Sequence, residues 1–136
     1  MALTLITNTI LVNPQSALHL KAVNILIEDG IIQTIGEDTI KVDDDDLDEV
    51  FDAEGAYCSL GWTDVRCQSG EPGLESRETL ESLALTAANG GFTHVCILPN
   101  TKPTISTRQM VAYFKNAETE SPVSFHPIGS LTKNLD

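Results

Sequence analysis

Apolar and polar positions alternate through the first sixty residues in short runs, the pattern of half-buried strands rather than helices. Residues 3–12 are rich in Ile, Leu, Val and Thr and stop at the turn-prone pair Asn13-Pro14. Residues 23–28 and 31–35 flank Asp29-Gly30, a two-residue signal for a type I′ hairpin turn, in which both central residues need positive φ. Shorter strand candidates at 50–52 and 56–59 lie on either side of Glu54-Gly55. Strands that follow one another with no helix between them predict a small antiparallel sheet or sandwich over residues 1–59.

The period changes at Gly61. Residues 62–67 read as a strand and 69–73 as a Gly/Pro loop. Leu80, Leu83, Ala84, Ala87 and Ala88 then recur at helical spacing. Glu75, Glu78 and Glu81 stand near the start of that helix, where its dipole favours them, and Gly90-Gly91 stops it. A strand over 94–98, a loop over 99–103 and a second helix follow. Ser106-x-x-Gln109 has the form of a capping box, with Ile105 and Met110 placed as a hydrophobic staple. Met110, Val111, Phe114 and Ala117 are expected on the inner face of this helix, and 123–128 forms a third strand. Strand–helix–strand–helix–strand predicts parallel pairing. Three parallel strands cannot cover both faces and both edges. Residues 60–136 are therefore either a small open α/β domain or the first part of a (β/α)8 barrel, which needs about 250 residues.

Charge removes some functions. Twenty acids against eight bases give a net charge of -12, which argues against nucleic-acid backbones and anionic membranes as partners. No apolar run reaches the length of a membrane span, and residues 1–11 lack the basic start of a signal peptide. A cytoplasmic protein is expected. Cys58, Cys67 and Cys96 show no C-x-x-C spacing and read as three reduced, buried thiols. The acidic run Asp43–Asp46, continued by Asp48 and Glu49, fails as a calcium loop, because Asp48 stands where glycine is needed. It reads as a solvated connection. His19, His94 and His126 are too far apart in sequence for a paired metal motif. His19 is expected on the surface, His94 at a strand start, and His126 near the C-terminal end of the third strand.

Three segments are informative together: Asp64-Val-Arg-Cys-Gln-Ser-Gly-Glu-Pro-Gly73, Gly90-Gly-Phe-Thr93 and Leu98-Pro-Asn-Thr-Lys-Pro103. In order and spacing they resemble a dihydroorotase of the amidohydrolase superfamily. The resemblance extends to residues 23–36, to Phe51-Asp-Ala-Glu-Gly55, to Leu60-Gly-Trp-Thr-Asp64, to Glu78-Thr79 and to Gly129-Ser-Leu-Thr132. It implies a metal-dependent (β/α)8 TIM barrel preceded by a β-sandwich segment, and it selects the barrel over the small open domain.

The departures bear on chemistry. Strand one of the family ends D-x-H-x-H-x-R-E-P-G, with two zinc-binding histidines and an arginine that grips the substrate carboxylate. The matching positions here are Arg66, Gln68 and Gly70; Asn100 keeps the family's substrate-contacting asparagine. A guanidinium offers no lone pair and repels a dication, and a carboxamide is a poor zinc ligand. Cys67, between them, is expected on the opposite face by strand alternation. Without zinc, water has no route to a hydroxide nucleophile near neutral pH. No cofactor and no catalytic residue are expected in this segment, with zinc confined to active family members. Asn100 and Arg66 remain as pocket residues. The resemblance implies a non-catalytic structural partner of aspartate transcarbamoylase in pyrimidine synthesis, and a homo-oligomer. The alternatives are a cyclic-amide hydrolase with a displaced or mononuclear metal, and a module that binds a small anion.

Overall fold

A computed structural model describes residues 2–132. The chain divides into two compact units, Met1–Leu60 and Gly61–Asp136, and its elements make it a mixed α/β protein. Among the described residues no helix is long and apolar enough to cross a membrane.

The first unit is a five-stranded sheet built on β1 (Leu3–Val12). β2 (Ala22–Glu28) pairs antiparallel with β1, and β3 (Ile31–Gly36) pairs antiparallel with β2. The turn between β2 and β3 has positive φ at both Asp29 and Gly30, as the type I′ reading requires. On the other side of β1, β4 (Glu49–Asp52) and β5 (Tyr57–Ser59) lie in succession along the same strand.

Both pair parallel to β1, which corrects the antiparallel half of the expected antiparallel sheet or sandwich. For β5 the reason is local. Asn8 leaves the β region at φ 55, accepts the Gly55 N–H at its carbonyl (2.8 Å), and donates from its amide to Asp52 (3.0 Å). The Glu54-Gly55 turn therefore does not reverse the chain but carries it forward along β1. Leu11, Val23 and Ile25 form the buried centre, with Ile6, Leu18, Ile27, Ile35 and Cys58 packed around them.

The second unit is a parallel sheet in the order β6 (Trp62–Cys67), β7 (Phe92–Ile97), β8 (Ser124–Pro127). α1 (Leu80–Asn89) and α2 (Arg108–Ala117) pack on one face. Leu80, Leu83, Ala84 and Ala87 of α1 and Phe114 of α2 join Val95, Ile97, Phe125 and Ile105 in one core. α1 opens with a reciprocal cap, the Thr79 hydroxyl accepting from the Ser82 N–H while the Ser82 hydroxyl accepts from the Thr79 N–H.

α2 begins one residue later than the Ser106 box predicts. Thr107 is its cap, accepting from Met110 N–H at 3.3 Å. Burial of Ile105, fully enclosed, anchors the chain just before that point. Phe114 is fully buried and Met110 partly so, but Val111 is 39% exposed and Ala117 is exposed, against expectation. The buried stripe of α2 is thus narrower than the apolar pattern implies. The cysteines are free, as expected of thiols, but only Cys67 is buried; Cys58 and Cys96 are half-buried.

Candidate functional site

The positions singled out by the sequence sit at the C-terminal end of β6 and in the two loops that follow β6 and β7. The end of β6 is irregular, with a register break against β7 between Asp64 and Cys67. Asp64 accepts the Arg66 backbone N–H at 2.8 Å, which holds the bulge. The Arg66 side chain is exposed. Cys67 turns to the helix face and joins the core, so it is opposed to Arg66 as strand alternation requires. Burial first, then the charges of Asp64 and Glu78, push its thiol up to about 11, which leaves it neutral and a poor nucleophile.

Gln68 is exposed, and its amide oxygen accepts from the Arg77 guanidinium at 2.9 Å. Of positions 66 and 68, the one with a usable lone pair is therefore already engaged by a cation. Gly70 admits no side chain, because a Cβ there would stand 2.5 Å from the Leu74 and Glu78 carbonyl oxygens. Asn100 is exposed on the second loop.

The two loops are joined to each other. The Lys102 N–H donates to the Pro72 carbonyl (2.9 Å), and Leu98 N–H to the Cys67 carbonyl (2.9 Å). Gly73, at φ 96, touches this junction so closely that a Cβ would meet the Lys102 oxygen at 2.1 Å. Ser69 and Thr101 are buried and bonded within their own loops, Ser69 to Glu71 and Thr101 to Pro103.

Glu71 ties this assembly to both helices. One carboxylate oxygen accepts the Leu80 N–H at the start of α1 (2.8 Å), and the other accepts the Tyr113 hydroxyl of α2. Burial, then the bond to Glu71, raise the Tyr113 phenol to about 12. Glu71 also borders a cleft of about 510 Å³ lined by Thr79, Leu80, Glu81, Phe125 and their neighbours.

A zinc ion does not fit positions 66 and 68. A guanidinium and an amide held by another guanidinium are not a donor set for a dication. Among the described residues, no group of three or more His, Cys, Asp or Glu side chains is placed to hold a metal. Among the described residues, no hydrogen bond joins Arg66 to Asn100.

The sequence reading missed two features. Glu71 is a hub of the fold as well as a motif residue. His94, the third residue of β7 rather than the start of its strand, has its Nδ1 3.0 Å from Nε2 of His126. The signal for the histidine pair lay in the strand pattern, since adjacent parallel strands with matched alternation put both rings on one face. His19 is half-buried in its connection and accepts the Asn13 N–H.

No family model matches the chain. It is 40% identical over 134 residues to a dihydroorotase of Caldicellulosiruptor saccharolyticus, covering 96% of this chain and 30% of that protein. It is 40% identical over 116 residues to one from Ruminiclostridium cellulolyticum, covering 85% and 26%. Among solved structures it superposes on the L-hydantoinase (dihydropyrimidinase) of Arthrobacter aurescens with a TM-score of 0.77 and 26% identity, over 95% of this chain and 28% of that one. A dihydroorotase crystal structure follows at TM-score 0.61 and 19% identity, over 95% and 31%. The chain spans less than a third of the length of the relatives it matches. Over that span it is similar in sequence to dihydroorotases, and its fold resembles that of the L-hydantoinase and dihydroorotase structures.

Proposed function

We propose that this chain is the opening part of a dihydroorotase-like protein of pyrimidine biosynthesis that has lost ring hydrolysis and serves as a structural partner of aspartate transcarbamoylase. In this reading residues 60–136 supply the first three strands of a (β/α)8 barrel, and residues 1–59 contribute to a β-sandwich. One observation carries the inactivity: the Gln68 amide oxygen is bonded to Arg77 beside an exposed Arg66, where the family places two imidazoles. Gly70 supports it, since the backbone around it closes the space a carboxylate-gripping arginine would need. Asn100 and Arg66 remain as polar groups that a retained pocket would use for an anion.

The test uses the intact protein from its native host. It is assayed for ring opening of dihydroorotate and for the reverse closure of carbamoyl aspartate, and its co-purifying proteins are identified. The expected result is no turnover above the uncatalysed rate, with aspartate transcarbamoylase recovered in stoichiometric amount. Turnover abolished by a chelator would overturn it in favour of a hydrolase with a displaced or mononuclear metal.

A further inference from the structure

We propose that Arg77, held in place by Gln68, is the grip for a small oxyanion, a carboxylate or a phosphate, at the mouth formed by the two loops that follow β6 and β7. The site rests on the reading of residues 60–136 as the first strands of a barrel, and not on the loss of hydrolysis. Gln68 comes just after the last residue of β6, and Arg77 lies between β6 and α1. Loops at the C-terminal ends of barrel strands line the mouth where ligands enter, and that mouth stays open when a barrel closes. The sheet face away from the helices, which further strands would fill, is not part of the site.

The guanidinium is oriented without being neutralised. One terminal nitrogen donates to the Gln68 amide oxygen at 2.9 Å, and an amide carries no charge. The other donors of the fork have no partner among the described residues. The ion pairs there, Lys21–Glu37 and Lys115–Glu118, lie elsewhere.

Acids are not scarce, since the chain has 20 against 8 bases. Glu71 gives its oxygens to the Leu80 N–H and the Tyr113 hydroxyl. Glu75 accepts the Gly73 N–H at 2.7 Å, and Asp64 accepts the Arg66 N–H. Glu78, next in sequence, makes no ion pair with Arg77 and lies near enough to Cys67 to raise its thiol. The neighbouring carboxylates thus serve backbone N–H groups and a hydroxyl, and the positive charge of Arg77 is left for a ligand. Two adjacent N–H groups of the fork meet both oxygens of a carboxylate or two of a phosphate. Asn100, exposed on the adjoining loop, offers a neutral amide donor beside it. That loop is fastened to the first by the Lys102 N–H bond to the Pro72 carbonyl, 2.9 Å. The contact that removes Gln68 as a metal ligand therefore also aims Arg77.

The experiment is calorimetric titration of the intact protein with succinate and, separately, with inorganic phosphate, both with a chelator present, beside Arg77→Ala, Arg77→Lys and Gln68→Ala. Arginine side-chain ¹⁵N spectra are recorded on the unaltered protein. Arg77→Ala should lose about 10- to 150-fold in affinity, the range for a hydrogen bond to a charged group. Arg77→Lys keeps the charge without the fork and should fall between that variant and the wild type. Gln68→Ala only frees Arg77 to move and should lose less than Arg77→Ala. The Arg77 signals should shift with the anion, and the tighter of the two anions assigns the source as carboxylate or phosphate. Wild-type affinity in both Arg77→Ala and Gln68→Ala, Arg77 signals that do not move, or no binding of either anion would overturn the site. Should Arg77→Ala misfold, Gln68→Ala and the spectra of the unaltered protein decide. Binding seen only when the chelator is left out belongs to a metal centre; it overturns this site and bears on the hydrolytic reading instead.

Discussion

Replacing Glu71 by alanine removes the acceptor that joins the first loop of the second unit to both helices. Leu80 N–H loses its 2.8 Å partner at the start of α1, and the Tyr113 hydroxyl loses its carboxylate. Loss of a helix-terminal acceptor costs about 0.5–2 kcal/mol, and loss of a partly exposed hydrogen bond adds about 0.5–1.5 kcal/mol. The Thr79–Ser82 reciprocal cap stays in place, so α1 survives and the combined cost is about 1–3 kcal/mol. Because the chain has two units, a single global unfolding energy is a poor readout. Amide exchange along Leu80–Asn89 is the appropriate one, and it should accelerate about 5- to 150-fold. The phenol reports the same contact. Burial first, and the bond to Glu71 second, raise Tyr113 to about 12 from an ordinary 10.0, so Glu71→Ala should lower it only part of the way toward 10.0. A raised folded-state value means that the stabilisation is fully present below pH 10 and is lost as pH rises from 10 to about 12. Wild-type α1 protection should thus decline across that window and the variant's should decline less. Glu71→Gln keeps one carbonyl oxygen for Leu80 and should fall between the two. Unaltered exchange in α1 together with an unaltered phenol titration in Glu71→Ala would refute the role given to Glu71.

Two further predictions rest on burial. Phe114→Ala empties the centre of the second unit, where Phe114 is fully enclosed; it should cost about 3–5 kcal/mol, read as a lower denaturation midpoint for that unit. Cys67, with its thiol raised to about 11, should resist alkylation at pH 8 while the half-buried Cys58 and Cys96 react, as measured by peptide mass spectrometry.

What the sequence made legible was local. The β2–β3 hairpin is encoded in two adjacent residues, and α1 in an apolar period closed by two glycines. The parallel placement of β4 and β5 was not legible, because Glu54-Gly55 looks like any reversing turn until Asn8, 47 positions before Gly55, bonds to it. The choice of Thr107 over Ser106 as cap turned on burial of Ile105, a tertiary fact. At the candidate site, the presence of Arg66 and Gln68 at the end of the strand was plain from the letters. Engagement of Gln68 by Arg77, the closed space around Gly70 and the contact of His94 with His126 all depend on side chains brought together by folding.

Several residues of these two loops hold the backbone in place. Glu71 caps α1 and binds Tyr113, Gly73 allows the Lys102 approach, and Thr101 is buried with its hydroxyl bonded to Pro103. Arg66 and Gln68 are exposed, and Gln68 is bonded to Arg77. Loss of Glu71, Gly73 or Thr101 would disturb the packing of the second unit, whereas a change at 66 or 68 acts first on what that surface can bind. Identity near 40% to dihydroorotases is therefore a measure of the scaffold. It is compatible with any chemistry at the end of β6, which turns on what the side chains placed there can bind.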